Sequence, residues 1–272
     1  MKHTCIMNKM RSAINNVYFI SFHQLVDYTY TWIKYLPHDV DVIVGIPRSG
    51  LFVASIISLS MGKPLSTPNS LPSTYWSCKK ESPKRNFVVD GETLLLVDDS
   101  VGSGKTFDEA EQKIRNILPN SKVLKASLFT YNSYKNKLDY YFVVSPRGYT
   151  RFEWGLMHSH LGITATDMDG ILCDEKGNPY RIPAYTLDMI ITSRPESERK
   201  TTEEWLKKHN VKYKTLFMWN KRKYDDAVSF KIRTLFQLRP DWFWESDYPI
   251  AVELHKRTGL PILAFDRMEL IK

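Results

Sequence analysis

Thr93-Leu-Leu-Leu-Val-Asp-Asp-Ser-Val-Gly-Ser-Gly-Lys-Thr106 decides the reading of this chain. Four apolar residues, Leu94 to Val97, form a buried strand that runs into two adjacent carboxylates, Asp98 and Asp99. A loop of glycine and hydroxyl residues comes next, then a helical segment from Phe107 to about Leu118. The loop's N–H groups and the positive end of the helix suit a phosphate. The carboxylates suit ribose hydroxyls, as an acid does in dinucleotide folds. Gly104-Lys105-Thr106 looks like the end of an ATP-type phosphate loop, but that motif needs a glycine where Asp99 stands. A helix capped by Ser100 or Ser103 explains the loop but not the paired acids at the end of a strand, where open α/β sheets bind ligands.

This stretch resembles the phosphoribosyl pyrophosphate (PRPP) motif of type I phosphoribosyltransferases. The resemblance implies that Asp98 and Asp99 meet the ribose hydroxyls, with Ser100 beside them. It implies that Gly102, Ser103, Gly104, Lys105 and Thr106 hold the 5-phosphate. Purine-salvage members often carry an aspartate where this chain has Gly102, so the departure speaks against 6-oxopurine chemistry.

Working outward, Asp41 to Ile46 is a short buried strand, Pro47-Arg48-Ser49-Gly50 its turn, and Leu51 to Met61 an apolar helix. This is a second anion cradle, and a plain strand-to-helix turn reads the same way. In the family the corresponding turn meets pyrophosphate. By that resemblance Arg48 neutralises the leaving group, Ser49 lies beside it, and Gly50 lets the backbone approach. Residues 67–87 are rich in Pro, Ser and Lys, a length that suits a lid or binding loop. The family has a mobile loop here, and Lys79, Lys80, Lys84 and Arg85 are candidate pyrophosphate contacts. Tyr18 to Leu36 reads as an amphipathic helix. Lys122 to Tyr131 and Tyr140 to Val144 read as strands, which completes a parallel sheet with flanking helices.

The chain has 272 residues, 43% hydrophobic and 25% charged, enough for one large or two small domains. Its net charge of +8 suits an anionic substrate; the basic residues are dispersed, so no nucleic-acid footprint is expected. Three isolated cysteines, Cys5, Cys78 and Cys173, point to a reducing compartment. With neither a membrane-length apolar run nor a secretory segment, a cytoplasmic protein is expected. A homodimer is compatible with this reading.

Gly162-Ile-Thr-Ala-Thr-Asp-Met-Asp-Gly170 reads as a second strand ending in paired acids. Such a pair suits one carboxylate as nucleophile and the next as acid/base, with Mg2+ between phosphate and protein. A calcium loop would close with glutamate where Asn178 stands. Three pieces come after it in order: Leu187 to Arg194, a strand ending in Thr192 and Ser193; Lys231 in a helical stretch; and Trp242 to Asp247, a strand ending in Glu245 and Asp247. Lys221 and Lys223 could stand in for Lys231, and Thr192 or Ser193 could cap the helix near Glu196.

The order resembles the haloacid dehalogenase-like (HAD) phosphatases. It implies that Asp167 attacks phosphorus, Asp169 protonates the leaving alcohol, and Thr192 and Lys231 bind the phosphoryl oxygens. Asp167, Asp169 and Glu245 or Asp247 would hold Mg2+. About twenty residues separate Asp169 from the next motif strand, too few for a large cap.

The expected architecture is α/β: two Rossmann-like three-layer domains with mainly parallel sheets. Residues 1–150 form a phosphoribosyltransferase-type domain, 151–161 a junction, and 162–272 a HAD-like domain with minimal or no cap. The expected function is bifunctional. PRPP donates 5-phosphoribose to an acceptor, a glycan by one reading, and the phosphatase removes the 5-phosphate, with Mg2+ at both sites. A nucleobase phosphoribosyltransferase with nucleotidase activity, and a PRPP sensor fused to a phosphatase, are the alternatives.

Overall fold

The computed structural model describes residues 18–74, 87–145, 150–159, 162–221, 223 and 226–272. The candidate lid residues Lys79, Lys80, Lys84 and Arg85 lie outside the described residues. The chain divides into two units, with Phe22–Arg147 in the first and Gly148–Lys272 in the second. No helix among the described residues is long and apolar enough to cross a membrane.

The N-terminal stretch departs from the helix expected over 18–36. Tyr18–Ile20 is a strand, β1, which pairs in parallel with a strand at Thr150–Phe152; helix α1 then spans Phe22–Ile33. The partner of β1 is remote in sequence, so local periodicity carries no trace of it. That pairing also places 150–152, and β1 itself, in the second unit, so the stretch read as a junction at 151–161 begins inside that unit's own structure. On α1 the buried side chains are Leu25, Thr29, Trp32 and Ile33, whereas Tyr30 points outward.

In the first unit, β2 (Val42–Gly45), β3 (Leu65–Ser66), β4 (Thr93–Val101), β5 (Lys122–Thr130) and β6 (Tyr140–Val144) form one sheet in the order β3-β2-β4-β5-β6. Every neighbouring pair is parallel. Such a sheet is covered on both faces, which is why β2 and the start of β4 read as unbroken apolar runs. Helix α2 (Ser49–Met61) comes after β2, and α3 (Lys105–Ile117) after β4. Val42, Val44, Leu94 and Leu96 meet Phe107, Ala110 and Ile114 of α3, while α1 and α2 pack together and α2 lies over β2 and β4.

The strand at Thr150–Phe152 is β7. The remaining strands are β8 (Thr164–Thr166), β9 (Leu187–Pro195), β10 (Tyr213–Trp219), β11 (Trp242–Glu245), β12 (Ile262–Ala264) and β13 (Glu269–Ile271). They form a second sheet in the order β10-β9-β8-β11-β12-β13, parallel except for β13. One face carries Leu187, Ile190, Trp242 and Trp244 with Leu206 of α4 (Arg199–Lys208). The other carries Ala165, Ile191 and Phe243 with Phe230 of α5 (Ala227–Leu238) and Leu254 of α6 (Tyr248–Thr258). Trp242, Phe243 and Trp244 are therefore core residues, as their clustering suggests. Residues 170–186 hold only short bridges at Cys173 and turns.

Candidate active sites

In the first unit, β4 runs four residues further than its apolar core implies and ends at Val101. Asp98 and Asp99 thus belong to the strand and are buried, at 9% and 3% exposure, rather than standing beyond its end. Asp98 Oδ1 accepts a hydrogen bond from the Asp99 amide at 2.9 Å, and Ser100 Oγ donates to Asp99 Oδ2 at 2.9 Å. Burial, and then the neighbouring Asp99 charge, push the Asp98 carboxyl well above the ordinary carboxylate range.

Gly50 has a packing role besides the one implied for it. A Cβ there would lie 2.5 Å from Asp98 Oδ1 and 2.8 Å from Asp98 Cα, so glycine is what lets the first turn of α2 reach β4. The turn before α2 and the acid pair are thereby brought into contact. Arg48 precedes α2, exposed, with no side-chain capping bond; Ser49 is half-buried.

The loop from Gly102 to Thr106 opens α3. Gly104 takes the N-cap position at φ +83°, and no side chain caps it. The nearest approach to a cap is Ser103 Oγ, which accepts the Lys105 amide at 3.4 Å. The first-turn N–H groups thus keep their capacity for an anion. Lys105 Nζ pairs with Glu109 at 3.7 Å; Gly102, Ser103, Lys105 and Thr106 are exposed. A Cβ on Gly104 would fall 1.8 Å from Tyr134 Cε2, whereas one on Gly102 meets only Tyr131 Cε2 at 3.8 Å. Glycine is obligatory at 104 and optional at 102. Gly104→Ala is accordingly expected to destabilise the first unit by about 3 kcal/mol or more, through the positive φ and the clash. Gly102→Ala should lie within about 1 kcal/mol of wild type. Urea unfolding of the two variants measures both.

In the second unit, Asp167 directly follows β8 and is 5% exposed. Its Oδ1 accepts the Met168 amide at 2.7 Å, and its Oδ2 lies 2.6 Å from Lys231 Nζ. The same ammonium is 2.7 Å from Glu245 Oε2. Lys231 is 2% exposed on α5, and Glu245 is 1% exposed at the end of β11. A buried lysine between two buried carboxylates is a charged site, which separates Lys231 from the exposed Lys221 and Lys223. Burial, together with the Asp167 charge, raises the Glu245 carboxyl to about 7 in spite of Lys231. Burial opposes the charge on Lys231, but the two carboxylates outweigh it and hold the ammonium protonated.

The two acids of the Asp-x-Asp pair do not point alike. Asp169 turns away from Lys231 and takes a bidentate pair with Arg194, Nη2 to Oδ1 at 2.7 Å and Nε to Oδ2 at 3.0 Å. Cys173 Sγ donates to Asp169 Oδ1 at 3.2 Å. Burial would raise the Asp169 carboxyl, but Arg194 and Cys173 outweigh it and hold it below its ordinary range. Burial and the Asp169 bond push the Cys173 thiol up to about 12.

Thr192 is fully buried in β9, and its Oγ1 accepts the Arg194 amide at 3.2 Å. It caps neither the short 3-10 turn at Glu196–Glu198 nor α4. Asp247 caps α6, accepting the Ile250 amide at 2.9 Å, so Glu245 rather than Asp247 is the acid linked through Lys231 to Asp167. Arg194 and Cys173 escape a sequence reading. The only local signal is the arginine two positions after Thr192.

Among the described residues no three His, Cys, Asp or Glu side chains converge as a ready metal cluster. Mg2+ commonly takes one or two carboxylates and completes its shell with water and phosphate oxygens. Asp167 and Glu245 are hard oxygen donors of that kind, held near one another by Lys231, and they fit such an ion.

Residues 24–158 match the family model of the phosphoribosyl transferase domain. The match takes in nearly all of the first unit and ends at residue 158, within the second. Solved structures similar to this chain include a purine phosphoribosyltransferase from Pyrococcus horikoshii Ot3. It is 20% identical, with 51% of this chain and 94% of that one covered and a TM-score of 0.40. The Helicobacter pylori xanthine-guanine-hypoxanthine phosphoribosyltransferase is 18% identical over the same shares, 51% and 94%, with a TM-score of 0.40. UMP synthase of Leishmania donovani is 22% identical, covering 49% of this chain and 27% of that one, with a TM-score of 0.32. No curated protein matches the chain significantly.

Proposed function

We propose that the chain is a two-step enzyme: the first unit transfers 5-phosphoribose from PRPP to an acceptor, and the second removes the 5-phosphate. The observation that carries the first step is the buried acid pair running into an uncapped, exposed loop at the start of α3, within the matched domain. Asp98 and Asp99 accept hydrogen bonds from the ribose hydroxyls, and the amides of 102–106 hold the 5-phosphate. Arg48 neutralises pyrophosphate, with Lys79, Lys80, Lys84 and Arg85 as further candidates. The C1–O bond breaks, its electron pair leaves on pyrophosphate, and the acceptor closes a new bond to C1 as it loses its proton. When bound, Mg2+ supplies charge neutralisation at both phosphate sites. The protein's share is positioning, charge complementarity and exclusion of water.

In the second step Asp167 attacks phosphorus and the phosphorus–oxygen ester bond breaks. Asp169, which takes up a proton from solvent when the substrate binds, gives it to the departing alcohol and recovers one from the water that hydrolyses the aspartyl-phosphate. Alcohol and inorganic phosphate are the products. Thr192 and Lys231 hold the phosphoryl oxygens, and Asp167 and Glu245 are the residues suited to the metal. An open site without a large cap suits a bulky product such as a ribosylated glycan, and the open space at Gly102 suits an acceptor other than a 6-oxopurine.

The test is incubation with PRPP, Mg2+ and a panel of nucleobases and glycan extracts, read by mass spectrometry. Asp167→Asn should accumulate an acceptor carrying 5-phosphoribose, where wild type yields the same acceptor with unphosphorylated ribose. An acceptor that gains nothing from either protein, with PRPP merely bound, would leave the first unit as a sensor and refute the two-step reading.

A further inference from the structure

Lys231 and Thr192 alone are a thin cradle for a phosphoryl group. The Lys231 ammonium has three protons, and two are committed to Asp167 and Glu245. Thr192 has one hydroxyl proton, which has no acceptor among the described residues; its Oγ1 serves there as the acceptor of the Arg194 amide. Two protons must then serve a group whose charge is spread over several oxygens. The Arg194 guanidinium, whose planar fork matches phosphate bidentately, lies on the same strand two positions on.

That guanidinium is already occupied. It makes three hydrogen bonds to the Asp169 carboxylate, Nη2 to Oδ1 at 2.7 Å and Nε to Oδ2 and Oδ1 at 3.0 and 3.2 Å. Unlike the Lys231 cluster this pair is open to solvent, with the Arg194 side chain 23% and the Asp169 side chain 51% exposed. The pair is bidentate but partly open to solvent, and a phosphate dianion matches the same fork. The Arg194 backbone is meanwhile fixed: its amide donates to Thr192 Oγ1, and β9 continues through Pro195. Only the side chain need move. On its departure Asp169 keeps the Cys173 thiol as a tether at 3.2 Å.

We propose that Arg194 is a phosphoryl-binding residue of the second unit, and that its guanidinium rests on Asp169 until a substrate phosphate displaces that carboxylate. The displacement delivers a cation to the phosphate and frees Asp169 in one movement. The inference deepens the phosphatase reading and rests on it.

The test uses the full chain as wild type, Arg194→Gln, Arg194→Lys and Asp169→Asn. Inorganic phosphate is titrated by calorimetry, and turnover of p-nitrophenyl phosphate with Mg2+ is measured in parallel. Arg194→Gln should weaken phosphate binding and raise KM about tenfold or more, and Arg194→Lys, lacking the fork, should weaken both several-fold. Asp169→Asn should lose turnover yet bind phosphate several-fold more tightly, because the internal competitor is gone. A residue that merely held Asp169 in place would leave phosphate affinity unmoved in all three variants, and that result overturns the proposal. Should Arg194→Gln fail to fold, the opposite movements of Arg194→Lys and Asp169→Asn still decide it. A wild type that hydrolyses no phosphomonoester refutes the phosphatase reading by itself, while the phosphate titrations still read Arg194.

Discussion

Lys231→Met is expected to destabilise the second unit by about 3–5 kcal/mol and to reduce phosphatase turnover about a thousandfold. The ammonium is the only positive charge described within bonding distance of either Asp167 Oδ2 or Glu245 Oε2, at 2.6 and 2.7 Å, and all three groups are nearly sealed from water. Removing it leaves two buried like charges facing each other. A well-packed apolar replacement of the whole triad could be neutral, but removal of one member cannot be. The pH dependence gives the test its sign. Burial and then Asp167 raise the Glu245 carboxyl from 4.5 to about 7, while Lys231 opposes them. A carboxyl raised on folding contributes stability that is present below its unfolded value and lost as pH rises through the folded one. Without Lys231 the folded value moves up further. The deficit of the variant should therefore be smallest near pH 5 and grow towards pH 8. Urea unfolding monitored by tryptophan fluorescence reports it, since Trp242 and Trp244 are buried in this unit. A deficit equal at both pH values would place the damage in packing rather than in the charge cluster.

The legibility of the sequence divides along the range of the interactions. The apolar runs at 42–45, 94–97 and 140–144 declare themselves as strands because a sheet covered on both faces needs side chains of that kind throughout. The loop at 102–106 declares itself through its glycines and through the helical segment it opens. Strand β1 does not, because its partner is β7, far along the chain, and three residues have no periodicity to read. The same holds within the sites. Lys231 and Asp167 are 64 positions apart, and only folding distinguishes Lys231 from two nearby lysines. The contact of Gly50 with Asp98 gives that glycine a part in joining a helix to a strand that the turn alone does not show. Asp169 is legible as half of a motif, but Arg194 and Cys173 set its direction, and both depend on how β9 and the segment after Asp169 lie.

Asp98→Asn should move stability and function in opposite directions. The Asp98 carboxyl is buried beside a second carboxylate, and burial first, then the Asp99 charge, raise it well above 3.8. At neutral pH the folded chain must therefore either carry a proton there or bear a poorly solvated charge. An amide of the same shape removes that burden and keeps the oxygen that accepts the Asp99 amide at 2.9 Å. The expected gain is about 1–2 kcal/mol, or a few degrees in the melting temperature of the first unit. The sign comes from linkage. The raised carboxyl supports the fold below its unfolded value, and this support fades as pH rises through its folded one, so the advantage of Asp98→Asn over wild type should be near zero at pH 4 and largest at pH 8. Function should respond the other way. A carboxylate that accepts ribose hydroxyls inside a buried site is replaced by an amide whose nitrogen offers only donors. PRPP-dependent transfer should fall about a hundredfold or more. In calorimetry the variant should lose PRPP affinity, while the wild type should gain more melting temperature from Mg2+-PRPP than the variant does. A variant less stable than wild type at pH 8, or one that binds PRPP as tightly, would mean that the buried acid pair is a structural feature of β4 rather than a ribose site that the fold maintains at the expense of its own stability.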